Sequence, residues 1–318
     1  METKLQSGQV KATRKTTIFK KIYEQRYLFL MSLPFVIWLI IFRYLPLWGW
    51  TMAFQNYKPA RSFSEQQWVG FDHFIKLFKD DTFYLALRNT LAMSFLGITF
   101  GFVIPIIFAI LLNELKNSVF KKLVQTVSYL PHFVSWVIAA SLITTMLSVD
   151  NSGAVNQLLL KLNIIKTPIN FLAIPKAFWW IVLGADLWKE VGWNSIIYLA
   201  AITGIDTSLY EAAKVDGAGR FRQIWHVTLP GIRSTILVIL IMNIGWLINI
   251  GFEKQYLLGN AIVMDYANVL DYYALTYGIN LTRYSYGTAI GIFKSVISVV
   301  LVFAANKFAK KIGEGELI

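Results

Sequence analysis

Asp186, Lys189 and Glu190 lie inside an otherwise apolar run at residues 177–201. Ionisable groups in such a setting are costly and therefore mark function. On a helix, Asp186 is three residues from Lys189 and four from Glu190, which puts all three near one face. Two readings fit. The three line a polar path for a hydroxyl-rich solute, or they carry no such role, because this part lies near the outer interface or because Asp186 and Lys189 only neutralise each other. Trp188, Trp193, Asn194 and Tyr198 share this run, and Asn243, Trp246 and Asn249 recur in the next one. Flat rings suit the apolar faces of sugars and amides suit their hydroxyls, the mixture a ligand site needs. The competing use of such rings is packing or anchoring at the membrane interface. An integral-membrane enzyme would need clustered histidines or carboxylates at membrane depth, and only Asp186 and Glu190 qualify, without a histidine partner in the sequence. His73, His132 and His226 are far apart in sequence and have no ligand spacing, which argues against a metal site.

The second pattern is polar, between 202 and 229. It reads Asp206-Thr-Ser-Leu-Tyr-Glu211-Ala212-Ala213-Lys-Val-Asp-Gly217-Ala-Gly219, then Arg220-Phe-Arg-Gln-Ile-Trp-His-Val227-Thr-Leu229-Pro230. The spacing predicts a short helix, a glycine break, a second short helix and a span opened by proline. Ser208 with Glu211 fits a capping box. Gly217 or Gly219 can supply the left-handed residue that ends the first helix, and Pro230 suits the first turn of the next. A helix-turn-helix joined rigidly to two spans can transmit a push from a soluble partner.

The elements that must carry these residues are membrane spans. The chain has 318 residues, is 56% hydrophobic and only 15% charged, with mean hydropathy +0.53. Apolar runs near 27–50, 89–112, 123–147, 177–201, 230–250 and 286–307 approach the roughly 20 residues a bilayer core of about 30 Å requires. The expected fold is all-α and integral to the membrane, with about six transmembrane helices and both termini on one side. The net charge of +12 suits basic loops and anionic headgroups rather than nucleic acid. Segments 1–26, 113–122, 202–229 and 308–318 are richer in Lys and Arg per residue than 51–88, 148–176 and 251–285, which places the N- and C-termini in the cytoplasm. Residues 1–26 read as a basic tail with an amphipathic stretch at 18–27, 27–311 as one transmembrane domain, and 312–318 as a second tail. Pro34, Pro46 and Pro105 are expected to kink or end helices. The mixed-charge segment 51–88 is expected to fold on the membrane surface. Without cysteine there is no disulfide and no thiolate metal site.

The polar segment resembles the loop that binding-protein-dependent ABC importer permeases insert into their ATPase. That motif runs Glu-Ala-Ala, three residues, Gly, nine residues, Ile, any residue, Leu-Pro. Glu211, Ala212, Ala213, Gly217, Leu229 and Pro230 match at the correct spacing, with Val227 in place of the isoleucine. Trp68-Val-Gly70-Phe-Asp-His-Phe and Ala86-Leu-Arg-Asn89-Thr90 resemble the entry to the second span of carbohydrate-uptake permeases of the maltose type. Tyr129-Leu-Pro131-His132-Phe-Val-Ser135-Trp136 and the Gly251-Phe252-Glu253 region are similar to the branch that imports complex or polysaccharide-derived oligosaccharides. The resemblance implies a non-catalytic permease in a bacterial cell membrane, paired with a second, homologous permease subunit. It also implies two cytoplasmic ATPase subunits, an extracytoplasmic solute-binding protein and an oligosaccharide cargo. No Gly-x4-Gly-Lys-Ser/Thr loop is present, so ATP and magnesium would be bound by the ATPase partners and no cofactor by this chain. The coupling loop alone is shared with importers of peptides or phosphonates. An ion-coupled secondary transporter would instead show internal inverted repeats and work without an ATPase.

Overall fold

The computed structural model describes residues 23–311 and divides the chain at residue 51 into two units. The expected basic tail and amphipathic stretch lie outside the described residues up to residue 22, and the tail at 312–318 lies wholly outside them.

In the first unit, α1 (Arg26–Leu39) carries Pro34 without ending there. It continues through a wide turn and a tighter one into a helical run, Arg26–Phe54, of 29 residues. At about 1.5 Å per residue that exceeds a hydrocarbon core.

The second unit, from Met52, carries near its start a small hairpin, β1 (Gln55–Asn56) antiparallel to β2 (Gln67–Trp68). The helix Asp72–Leu77 follows, with His73 Nε2 3.1 Å from the Gln55 carbonyl oxygen. Asp80 accepts from the Thr82 N–H at 2.8 Å and so caps α2 (Asp81–Leu96). A wide turn at Gly97–Phe102 carries α2 into α3 (Val103–Glu114), one run of 34 residues. The span expected at 89–112 therefore starts earlier, because the capping carboxylate at Asp80 fixes its first turn.

The apolar run at 123–147 is not a single helix. Asn117 caps α4 (Ser118–Tyr129), and a short tight turn at Leu130–Phe133 holds Pro131. Extended backbone at Val134 and Ser135 then leads into α5 (Trp136–Met146), bent by 105° from its predecessor. Proline removes one helical donor and Ser135 caps the new start, which explains the break.

The helix α6 (Phe178–Thr203) is 26 residues long. Its three ionisable residues make it less apolar than the other runs. Among the described residues, three helical runs are long and apolar enough to cross a membrane, and up to five if each of two bent pairs is one span. After α6 come α7 (Thr207–Val215), α8 (Arg220–Gln223), α9 (Arg233–Gly245), α10 (Glu253–Leu258), α11 (Leu270–Leu275) and α12 (Tyr284–Lys311).

One core cluster packs Phe102, Ile106, Ala109 and Leu112 against Tyr198, Leu199, Ile202 and Ile232. It fixes α3, α6 and the start of α9 as one body. A second joins Phe83 and Ala86 to Leu270, Tyr273, Tyr286 and Ile290. The α4–α6 crossing is closer still. A Cβ at Gly192 would stand 2.1 Å from the Ser128 carbonyl oxygen, so only glycine admits this approach.

Candidate functional site

Two places bring together the residues singled out by sequence. The first is the helical hairpin that joins α6 to α9. Its leading helix α7 is capped by Asp206, whose carboxylate accepts from the Ser208 N–H at 2.9 Å. That backbone donor, with the Ser208 side chain, holds the Asp206 carboxyl below the usual carboxylate range. Ser208 is thus not the cap, and the expected capping box is corrected. Aspartate two residues earlier reaches the same orphan donors first. Glu211 is thereby released from capping and lies exposed one turn into α7.

The C-terminal end of α7 is a Schellman motif. Gly217, at φ +74°, donates to the Lys214 carbonyl at 3.0 Å, and Ala218 donates to that of Ala213 at 2.8 Å. Gly219 keeps a negative φ and begins α8. The Tyr210 hydroxyl lies 3.0 Å from Thr228 Oγ1, and Gln223 Nε2 donates to the Ala218 carbonyl at 2.7 Å. These contacts tie the two limbs together. Leu229 and Pro230 open a short helical turn, Leu229–Gly231, with Pro230 in its first turn as expected; that turn closes the second limb, Arg220–Gly231, which bends by 61° into α9. Pro230 has no N–H to return to the preceding turn, where the backbone widens over Ile224–Thr228, and the bend follows at Ile232. Val215, Phe221 and Trp225 project into the surroundings at 88%, 90% and 69% exposure, unusual for apolar side chains on a polar segment.

The second place is a cavity of about 810 Å³ between α2–α3, α6, α9 and the stretch leading into α10. Asp186, Glu190, Asn194 and Tyr198 recur every four residues and form one wall from α6, joined by Trp193. Asn243, Trp246 and Asn249 face them from α9 and just beyond it. Asn249 Nδ2 donates to Ser298 Oγ at 2.8 Å, which fixes its amide. Trp188 does not belong to this wall. Two residues from Asp186, it turns to the opposite side of α6, where it is exposed.

The acids do not pair as sequence spacing suggested. Asp186 is held by Lys254 Nζ at 2.8 and 3.0 Å. Lys189 is buried away from the cavity and donates to the His132 carbonyl at 2.6 Å and to Glu190 Oε1 at 3.1 Å. Glu190 Oε2 lies 2.7 Å from His132 Nδ1. Lys189 is therefore neither a wall residue nor the partner of Asp186, and Glu190 does have a histidine neighbour. The pairings of Lys254 and His132 with the acids were not legible, because the partners come from other elements, 58 and 68 residues away in the two acid pairs. Lys294 on α12 is bonded to Asp271. In net effect, the cavity wall has each carboxylate matched by a lysine, and Ser94, Asn194, Asn243, Asn249 and the buried Tyr198 are among its uncharged polar groups.

The cavity is ion-matched and ring-rich, and α6 ties it to the exposed helical hairpin. Residues 97–314 match the family described as binding-protein-dependent transport system inner membrane component. The chain is 46% identical over 304 residues to the polygalacturonan/rhamnogalacturonan transport system permease protein YteP of Bacillus subtilis (strain 168), covering 96% of this chain and 94% of that one. It is 44% identical over 286 residues to protein LplB of the same organism, covering 90% and 89%. A chain of a bacterial alginate ABC transporter, solved in complex with an alginate pentasaccharide-bound periplasmic protein, superposes with TM-score 0.87 at 40% identity, covering 94% of this chain and 99% of that one. With the hairpin and the cavity walls from α3, α6 and α9 inside the matched region, the chain belongs to the binding-protein-dependent transport system inner membrane components, and it is a multi-pass membrane protein.

Proposed function

We propose that this chain is the permease subunit of an ATP-driven importer whose cargo is an oligosaccharide of the kind cut from polysaccharides. The observation that carries the reading is the cavity. Its volume falls within the range of about 300–1,000 Å³ usual for small-molecule sites, and Trp193 and Trp246 border it beside Asn194, Asn243 and Tyr198. Rings of this kind take the apolar faces of sugars while amides and a hydroxyl take their hydroxyl groups. The names of the relatives, a polygalacturonan/rhamnogalacturonan permease and an alginate transporter, support the same cargo class.

In this reading Glu211, Ala212, Ala213, Gly217, Leu229 and Pro230 form the coupling loop. It docks on one of two cytoplasmic ATPase subunits, which bind ATP and magnesium. The exposed Val215, Phe221 and Trp225 supply the apolar contact such docking needs. Glu211, free of any capping duty, is available to pair with the ATPase surface. A second, homologous permease completes the pathway, and an extracytoplasmic binding protein delivers the sugar. The chain crosses the membrane six times, with α6 as a span that carries three ionisable residues, and both termini face the cytoplasm. ATP-driven closure of the ATPases moves the hairpin, and because α6 continues into α7 after only Gly204, Ile205 and Asp206, that motion reaches the cavity wall directly.

The test is ATP hydrolysis by the co-purified complex in nanodiscs with its binding protein, across a panel of neutral and acidic oligosaccharides. Stimulation by one sugar class supports the assignment. No stimulation by any sugar, with stimulation by a peptide or another solute, overturns it.

A further inference from the structure

Four ionisable side chains at this depth are costly unless each is matched, and the way they are matched concentrates on one place, the break between α4 and α5. His132 sits in that break and is held in three ways. Its Nδ1 meets Glu190 Oε2 at 2.7 Å, its carbonyl accepts from Lys189 Nζ at 2.6 Å, and its ring lies flat on Trp193 with centroids 4.2 Å apart and planes 3° apart. On the far side of the break, the ring of Trp136, the first residue of α5, lies 5.6 Å from both Lys189 Nζ and Lys254 Nζ. The span α6 thus grips the broken helix before and after its bend. The close approach of Ser128 to Gly192 brings α4 near enough for this grip.

Between the grips, Val134 and Ser135 are extended and outside any helix. Such a stretch is a natural hinge, since a few dihedrals there can absorb a change of angle. The grip depends on Glu190, and Glu190 also borders the cavity. Both its oxygens are engaged, one by His132 and one by Lys189. A hydroxyl entering the cavity and donating to Glu190 competes with His132 for the same oxygen. Occupancy of the cavity and angle of the bend are then linked, and the link is reciprocal.

We propose that Glu190 and His132 form a latch that sets the angle between α4 and α5, so that the broken span responds to the contents of the cavity through one carboxylate. Both are positioning residues for transport, and this rests on the permease function proposed above. Lys189 is the fixed anchor of the latch and Trp193 its backing plate.

The chain contains no cysteine, so spin labels can be placed at Lys122→Cys and Thr144→Cys, exposed sites on the two limbs. The distance between them is measured in the nucleotide-free complex in nanodiscs without solute. A narrow distribution is expected for the parent, a broadened one for Glu190→Ala and His132→Ala, and a narrow one again for His132→Asn, whose amide keeps a donor near Nδ1. In the same variants, ATP hydrolysis driven by loaded binding protein should lose about tenfold in kcat with KM nearly unchanged. That split belongs to a group acting in the conformational step, and a merely structural defect would not produce it or be rescued by asparagine. Should an alanine variant fail to assemble, Glu190→Gln, which keeps the shape and loses the charge, carries the same expectation. Unchanged distances in the Glu190 and His132 variants, or His132→Asn as broad as His132→Ala, overturn the latch. If no sugar stimulates even the parent complex, the cargo assignment fails alone, because the distance measurement needs no solute.

Discussion

Substitution of Gly217 separates two reasons why a glycine stands at the end of α7. Its φ of +74° is left-handed, and a Cβ built there meets nothing within 4 Å. Within this chain the requirement is therefore conformational and not steric. An ordinary L-residue in that region costs about 1–2 kcal/mol, which is a factor of about 5–30 in the population of the Schellman turn. Asparagine tolerates this region far better than alanine, and a β-branched residue far worse. The order expected for ATP hydrolysis stimulated by loaded binding protein is Gly217, then Asn, then Ala, then Val. Gly217→Asn should stay within about threefold of the parent and Gly217→Ala should fall about tenfold. The assay is run on complexes matched for recovery of the ATPase subunit. An order set by volume, with Ala above Asn, would refute the reasoning and mean that a partner surface fills the space around Gly217.

Three further outcomes follow from the packing and the charges. Gly192→Ala must move α4 from α6 by roughly 1 Å to relieve the 2.1 Å approach to Ser128, an overpacking cost of about 1–3 kcal/mol; a clearly lowered melting temperature in detergent is expected, whereas Gly184→Ala on the same helix, with open space, should leave it unchanged or raised. Removing one member of the Asp186–Lys254 pair leaves a half-buried charge unmatched and should cost about 1.5–3 kcal/mol; the double neutral variant Asp186→Asn/Lys254→Gln should melt above either single variant, and additive losses would refute the pairing. The Asp206 cap is a depressed-pKa carboxylate, so its stabilisation is present above the unfolded value of about 3.9 and is lost as pH falls through the lower folded value. A spin label at Val215→Cys should stay ordered to about pH 4 and loosen below it, while Asp206→Asn should abolish that pH dependence.

The sequence made the continuous parts of this fold readable and hid the discontinuous ones. The runs at 27–50, 89–112 and 286–307 appear as long helices because apolarity along one stretch is a local property. The motif from Glu211 to Pro230 likewise fixed a helical hairpin, with Gly217 in the left-handed region the turn demands. What escaped was partnership. Spacing on α6 suggested that Asp186 pairs with Lys189, since helical periodicity reveals neighbours on the same element. The structure assigns Asp186 to Lys254 and Lys189 to His132, which no periodicity can disclose. The bend at Ser135 was hidden by its apolar flanks, although Pro131 and Ser135 are the residues that make it. Trp188 shows the opposite case. Its place off the wall could have been read from a two-residue offset against the four-residue recurrence of Asp186, Glu190, Asn194 and Tyr198.

The most direct test of the permease assignment is uptake of a labelled oligosaccharide by proteoliposomes containing the full complex, with the binding protein and ATP on opposite sides of the membrane. Uptake that requires both ATP and binding protein, and that disappears with Gly217→Val in an assembled complex, is the predicted result. Uptake by this chain alone, driven by an ion gradient without any ATPase, would contradict it.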